Sequence, residues 1–182
     1  MIPLAYQNNI PNCIVALEMS YRLNQSVLMV MQNTNVIHGK PSLGSSFVIA
    51  LINSSNRFAS SLEFIIEGEG MNQSCYCVAK KHDGTILKGP KITMQMALAE
   101  GWLNKSGSKW KSMQELMLQY RSAAFFGRLN CPDILMGMQT AEEVYDVNYE
   151  EILQDKSPIN EINDIISPVV NHIEVIPVPD LP

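Results

Sequence analysis

The sequence predicts an α+β protein: a three-stranded antiparallel β-meander followed by helices, with additional helices ahead of it. Two period-two stretches carry the sheet. Leu62, Phe64 and Ile66 alternate with Glu63, Ile65 and Glu67, and Cys75, Cys77 and Ala79 alternate with Tyr76, Val78 and Lys80. That is the pattern of strands with unlike faces. The Asp83-Gly84 dipeptide then turns the chain into Thr85-Ile86-Leu87, because both its residues tolerate positive φ. Beyond it, Met113, Leu116, Met117, Tyr120, Ala123 and Ala124 recur at helical spacing and are expected to face the core.

In chain order, Pro11-Asn12 precedes a helix over CIVALEMSYRLN, where Ile14, Leu17 and Tyr21 form a stripe and Asn24 supplies a stop. Ser26 caps a short VLMVMQN turn, and Asn35–His38 reads as a strand entering a Gly39-Lys40-Pro41 turn. FVIALI is apolar on every side; Ser42 as a cap and the length through Asn53 favour helix over buried strand. After the meander, Gly89-Pro90 closes the third strand and Thr93–Glu100 forms a helix stopped by Gly101. Ser112-x-x-Glu115 and Thr140-x-x-Glu143 have the capping-box form and mark two further helix starts, with a Cys131-Pro132 break between them.

Charge divides the chain. Residues 1–141 hold twelve Lys and Arg against eight Asp and Glu, whereas residues 142–182 hold Lys156 against ten acids. A modestly basic core over 1–147 is therefore expected to carry an acidic, proline-interrupted tail over 148–182, mostly disordered alone. Chain length suits one domain with an appendage. No apolar run is long enough to span a bilayer, and the start MIPLAYQNNIPN lacks the pattern of a secretory signal. The four cysteines thus read as reduced thiols in a cytoplasm.

Little points to catalysis. Gly39-Lys40-Pro41 lacks the upstream glycine and following hydroxyl of a phosphate-binding loop, the acids of the basic part are scattered, and His38, His82 and His172 stand in no nucleophile-like setting. Cys75-x-Cys77 shares one strand face, but His82 is the only histidine near it, so no metal site is expected. No catalytic residue and no cofactor is assigned; whether a divalent metal assists is left open.

Binding is another matter. At about 100° per residue, Arg121, Phe125 and Arg128 fall on one strip of the long helix, continued by Gln114 and Leu118. Lys105, Lys109, Trp110 and Lys111 lie in the loop before it, and Lys40 sits in its own turn. Cations that meet phosphates beside rings that stack on bases suit a single nucleic-acid strand. The plainer alternative is two solvated arginines flanking a buried phenylalanine, with the tryptophans anchoring the loop and Lys80, Lys81 and Lys88 guarding sheet edges.

The run GSKWKSMQELMLQYRSAAFFGRLNCPDILMGMQTAEEVYDV closely resembles the matching segment of RecT-type phage and prophage recombinases. NCIVALEM, VMQNTNVIHGKPS, FVIALINSSNRF and ILKGPKITMQMALAEGW resemble the same family in the same order, over roughly residues 3 to 147. The resemblance implies a protein that anneals single-stranded DNA without ATP during homologous recombination in a bacterial host cell. It implies a ring or filament of identical subunits working beside a 5′→3′ exonuclease or a host single-strand-binding protein, and a core related to the β-β-β-α fold of eukaryotic annealing proteins. It also raises the standing of Lys105, Lys109, Lys111, Arg121 and Arg128 as DNA contacts. The family carries additional helical sequence before the block matching NCIVALEM, so this chain is expected to be N-terminally short. The rival reading is a non-catalytic adaptor whose basic face meets an acidic protein.

Overall fold

A computed structural model describes residues 2–37 and 40–146. The expected tail over 148–182 lies outside them, as do His38 and Gly39. The described chain is α+β, with antiparallel sheets and seven α-helices among the described residues.

Helix α1 (Ile10–Leu23) starts three residues earlier than the sequence pattern suggests. Pro11 falls in its first turn, where a missing N–H costs nothing. The Asn9 side chain accepts the Asn12 N–H at 3.1 Å, and Asn24 ends the helix at φ 49°. The VLMVMQN stretch is a helix rather than a turn, α2 (Val27–Asn33), with Ser26 as its cap as expected.

Strands β1 (Thr34–Ile37) and β2 (Lys40–Leu43) form an antiparallel pair with Thr34 opposite Leu43 and Ile37 opposite Lys40. Lys40 and Pro41 thus belong to a strand, not to a turn. A two-stranded sheet consists of edges, which tolerate a proline. Ser42 lies in β2 and caps nothing. Helix α3 (Ser45–Ser54) instead draws its cap from far along the chain: Glu142 accepts the Ser45 hydroxyl at 2.6 Å and its N–H at 3.3 Å.

The larger sheet holds β3 (Glu63–Glu67), β4 (Ser74–Lys80), β5 (Ile86–Lys88) and β6 (Ile92–Thr93). β4 is central: β3 flanks one edge, while β5 and then β6 follow each other along the other. The fourth strand was not expected. Gly89 does not end the pairing, because its N–H donates to the Cys77 carbonyl at 2.8 Å and the chain rejoins β4 three residues later. Helix α4 (Met94–Ala99) follows, capped by Thr93 and ended by Gly101 at φ 73°.

Helix α5 (Gln114–Asn130) lies on the sheet face that carries Cys75 and Cys77 and also crosses α3. Two apolar clusters meet along it, one around Leu43, Ile52 and Phe126 and one around Ile92, Trp110 and Leu118. Helix α6 (Pro132–Leu135) opens on its proline, and α7 (Ala141–Asp146) ends the described chain. The box at Thr140 forms fully: Thr140 N–H donates to Glu143 at 2.9 Å, and Glu143 N–H donates to Thr140 Oγ1 at 3.2 Å. The box at Ser112 does not form. Met113 caps α5 without a side-chain bond and is 46% exposed rather than in the core, while Glu115 accepts from Gln73 at 3.1 Å. No helix among the described residues is long and apolar enough to cross a membrane.

Candidate nucleic-acid interface

The expected Arg121–Phe125–Arg128 strip does not survive as a cationic face. Helix α7 folds back beside α5 and brings Glu143 and Asp146 to the two arginines. Arg121 is 7% exposed; its Nη2 pairs with Asp146, its Nη1 lies 3.9 Å from Glu143, and its guanidinium stacks 3.9 Å from the Trp102 ring centroid. Arg128 pairs with the same Glu143. Burial pulls the Arg121 guanidinium below an arginine's usual value, against the opposing pull of Glu143 and Asp146. Burial likewise pushes the Asp146 carboxyl up, opposed by the Trp110 hydrogen bond and by Arg121. Glu143 thus faces two arginines: the Arg121 charge is spent inside the molecule, whereas Arg128 is paired but keeps part of its side chain at the surface.

Trp110 is not the exposed stacking ring that the sequence suggests. It is fully buried, its indole N–H donating to Asp146 at 3.0 Å and its ring centroid 5.0 Å from that of Trp102. No base can stack on it in this arrangement. It anchors the loop, as does Ser108, whose hydroxyl donates to the Trp102 carbonyl at 2.6 Å.

The remaining candidates fall into three places. Lys40 of β2 and Arg128 of α5 line one depression of about 530 Å³ with the 136–139 turn, and the Arg128 side chain keeps 35% of its surface exposed. Half-buried Phe125 is not part of that lining; its ring centroid lies 5.4 Å from the Arg128 guanidinium. Lys105 and Lys109 border a smaller hollow that also contains Glu142 and Asp146, and the Lys105 ammonium donates to the Tyr145 carbonyl at 3.0 Å. Lys111 lines a third, open hollow with Glu69 and Glu115. Of these three hollows, only the one lined by Lys40 and Arg128 has no acid in its lining, although Arg128 itself pairs with Glu143.

Burial disfavours the thiolate form of the inner cysteines. Cys75 and Cys77 lie 3.6 and 3.1 Å from the Ser122 hydroxyl, and burial pushes Cys77 up to about 12 and Cys131 up to about 11. Among the described residues no group of three His, Cys, Asp or Glu side chains is placed to hold a metal ion.

Sequence reasoning missed Glu143 and Asp146 as partners of the arginines. The signal was present in the Glu142-Glu143-x-x-Asp146 spacing just after a capping threonine, but nothing local says against what such a helix packs. Comparison with family models, with curated proteins and with solved structures returns no match.

Proposed function

We propose that this chain binds single-stranded DNA and anneals complementary strands without ATP, as in phage-type homologous recombination. The observation that carries the reading is the depression lined by Lys40 and by Arg128, whose side chain pairs with Glu143 yet stays 35% exposed, with the Phe125 ring 5.4 Å from its guanidinium. The ordered RecT-like blocks over residues 3 to 147 support it, as does the succession of β3, β4 and β5 before helices, which fits a β-β-β-α annealing core. Complementary strands pair downhill in free energy, so the protein need only remove kinetic obstacles. Cations lower phosphate repulsion, and rings hold bases unstacked at roughly 1–3 kcal/mol each.

Annealing by an array of subunits needs a surface for a second copy. Ile10, Ile14, Leu17 and Tyr21 on one face of α1 are 74%, 60%, 56% and 85% exposed and uncharged, which suits assembly into a ring or filament. An exonuclease or a host single-strand-binding protein, met in a bacterial cytoplasm, completes the proposed setting. The same apolar stripe is what favours the second reading, a non-catalytic adaptor.

The test is a pairing time course of complementary oligonucleotides with and without the protein, beside gel-shift titrations with single strands, duplex and heparin. Faster pairing and preference for single strands are expected. Lys40→Gln should weaken binding and lower the salt slope by about 0.7, the share of one phosphate on a single strand. Equal affinity for all three polyanions and unaltered pairing kinetics would leave the adaptor reading.

A further inference from the structure

The larger sheet has a second face that the proposed function does not use. Cys75, Cys77, Ala79 and Ile92 point toward α5 and are buried. Their neighbours point the other way, and the exposures show that this side is open: Ile65 is 36% exposed and Ile86 67%, Tyr76 and Val78 are half-buried, and Lys80 and Lys88 are exposed. The strand register orders these side chains into rows. Ile65 lies opposite Tyr76, Glu63 opposite Val78 and Val78 opposite Lys88, and Lys80 opposite Ile86. Successive rows are about 6–7 Å apart, twice the rise of a strand.

At the centre is the Tyr76 ring. The Lys88 ammonium sits 3.8 Å from its centroid and the Lys91 ammonium 5.9 Å. Lys91 is shared with Glu67, whereas Lys80 and Lys88 have no carboxylate within salt-bridge distance among the described residues. An ammonium over a ring face occupies the position that a planar, electron-poor group would take, and it is held there by a flexible stem. The apolar members are single residues between charged ones, too dispersed for a protein-sized apolar contact.

We infer that this open sheet face is a base-stacking site for single-stranded nucleic acid, with Tyr76 as the platform and Lys80 and Lys88 as phosphate contacts. A base displaces the Lys88 ammonium from the ring, and the released cation meets the adjoining phosphate. A duplex does not fit, because its bases are already stacked on one another and only an unpaired base can lie flat on the ring. The inference takes its ligand class from the proposed function, but its location is separate: Lys40, Phe125 and Arg128 do not belong to this face. The shared chemistry is a stacked base with its phosphate, from DNA or RNA.

The test is photocrosslinking of the full chain to oligonucleotides carrying 5-iodouracil, in deoxy and ribo arms, with peptide mapping. A crosslink on the peptide containing Tyr76 is expected in at least one arm, and the stronger arm names the source. Tyr76→Leu should weaken binding at least about fivefold, the low end for one stacked base, while Tyr76→Phe retains it. Lys80→Gln with Lys88→Gln, both on exposed side chains, should lower the salt slope by about 1.4 even should the leucine variant fold poorly. Crosslinks confined to the peptides of Lys40 and Phe125, with normal binding by the tyrosine and lysine variants, overturn this inference and leave the proposed function standing. No crosslink and no single-strand binding by the unaltered chain overturn both.

Discussion

Arg121→Met separates an interior cation from a DNA contact. The arginine is 7% exposed, pairs with Asp146 and stacks on Trp102. Methionine keeps the length and an acceptable sulfur–ring contact, so the main loss is the charge. Removing one partner of a buried pair costs about 3–5 kcal/mol because the other ion stays buried and uncompensated. Glu143 keeps Arg128 and Thr140, so the stranded group is chiefly Asp146. The lower end, about 3 kcal/mol, is expected, which lowers the unfolding midpoint by about 6–12 °C. Burial already raises the Asp146 carboxyl above its usual value, and loss of Arg121 raises it further. An acid whose folded value lies above its unfolded one is best tolerated at low pH, and its penalty grows as pH rises through the folded value. The variant should therefore lose less stability at pH 5 than at pH 8 in urea titrations. Adding Asp146→Asn, which retains an acceptor for the Trp110 N–H, should recover a large part of the loss. Single-strand affinity and its salt slope should stay unchanged while the variant is folded. A variant of native stability with weaker, less salt-dependent DNA binding would refute the assignment of Arg121 to the interior.

Two further outcomes follow from buried groups. The Cys77 and Cys131 thiols, held at about 12 and about 11, stabilise the fold fully below their unfolded value. That contribution is lost as pH rises toward the folded values, by about 1.4 kcal/mol per pH unit for each thiol. Chemical denaturation between pH 8 and pH 10.5 should show that steepening, and replacing both thiols with alanine should flatten the dependence. Trp102 and Trp110, 8% and 0% exposed, should emit at short wavelength and resist acrylamide quenching, with little change when a single strand binds. Strong quenching by bound DNA would place an indole in the binding face and contradict the packing.

The sheet was legible because its signals are local. Alternation in Leu62–Glu67 and Cys75–Lys80 reports which side chains share a face, and Asp83-Gly84 reports its own turn, with Gly84 at φ 88°. Helix caps were legible only where both partners lie within a few residues. Thr140 and Glu143 satisfy each other, but the start of α3 is capped by Glu142 from nearly a hundred residues away. The long helix shows the same limit more sharply. Periodicity located α5 and found one buried face through Met117, Ala123 and Ala124, yet Leu118 and Arg121 are buried as well, because α7 and the Trp102–Trp110 loop cover the other side. A helix covered on two sides cannot be distinguished from a half-exposed one by counting apolar positions when its second cover is polar. The stripe on α1 errs in the opposite direction: Ile14, Leu17 and Tyr21 have core chemistry but face outward.

The polar cover on α5 also bears on how α7 finds its seat. A buried arginine–carboxylate contact is no more stabilising than apolar groups of the same shape, so Arg121, Glu143 and Asp146 are not needed for strength alone. What they supply is discrimination. Helix α7 meets β1 and β2, and shifted there by one residue it would leave Glu143 without Arg128, Asp146 without Arg121 and the Trp110 N–H without its acceptor, each an unpaired polar group in the interior. Apolar side chains in those places would slide at little cost. The Arg121→Met, Asp146→Asn pair tests this directly: recovered stability together with broadened amide resonances over 141–146 is expected if the charges select the seat. Recovered stability with sharp, unshifted resonances would mean that the Thr140 box and the Glu142–Ser45 contact fix α7 alone.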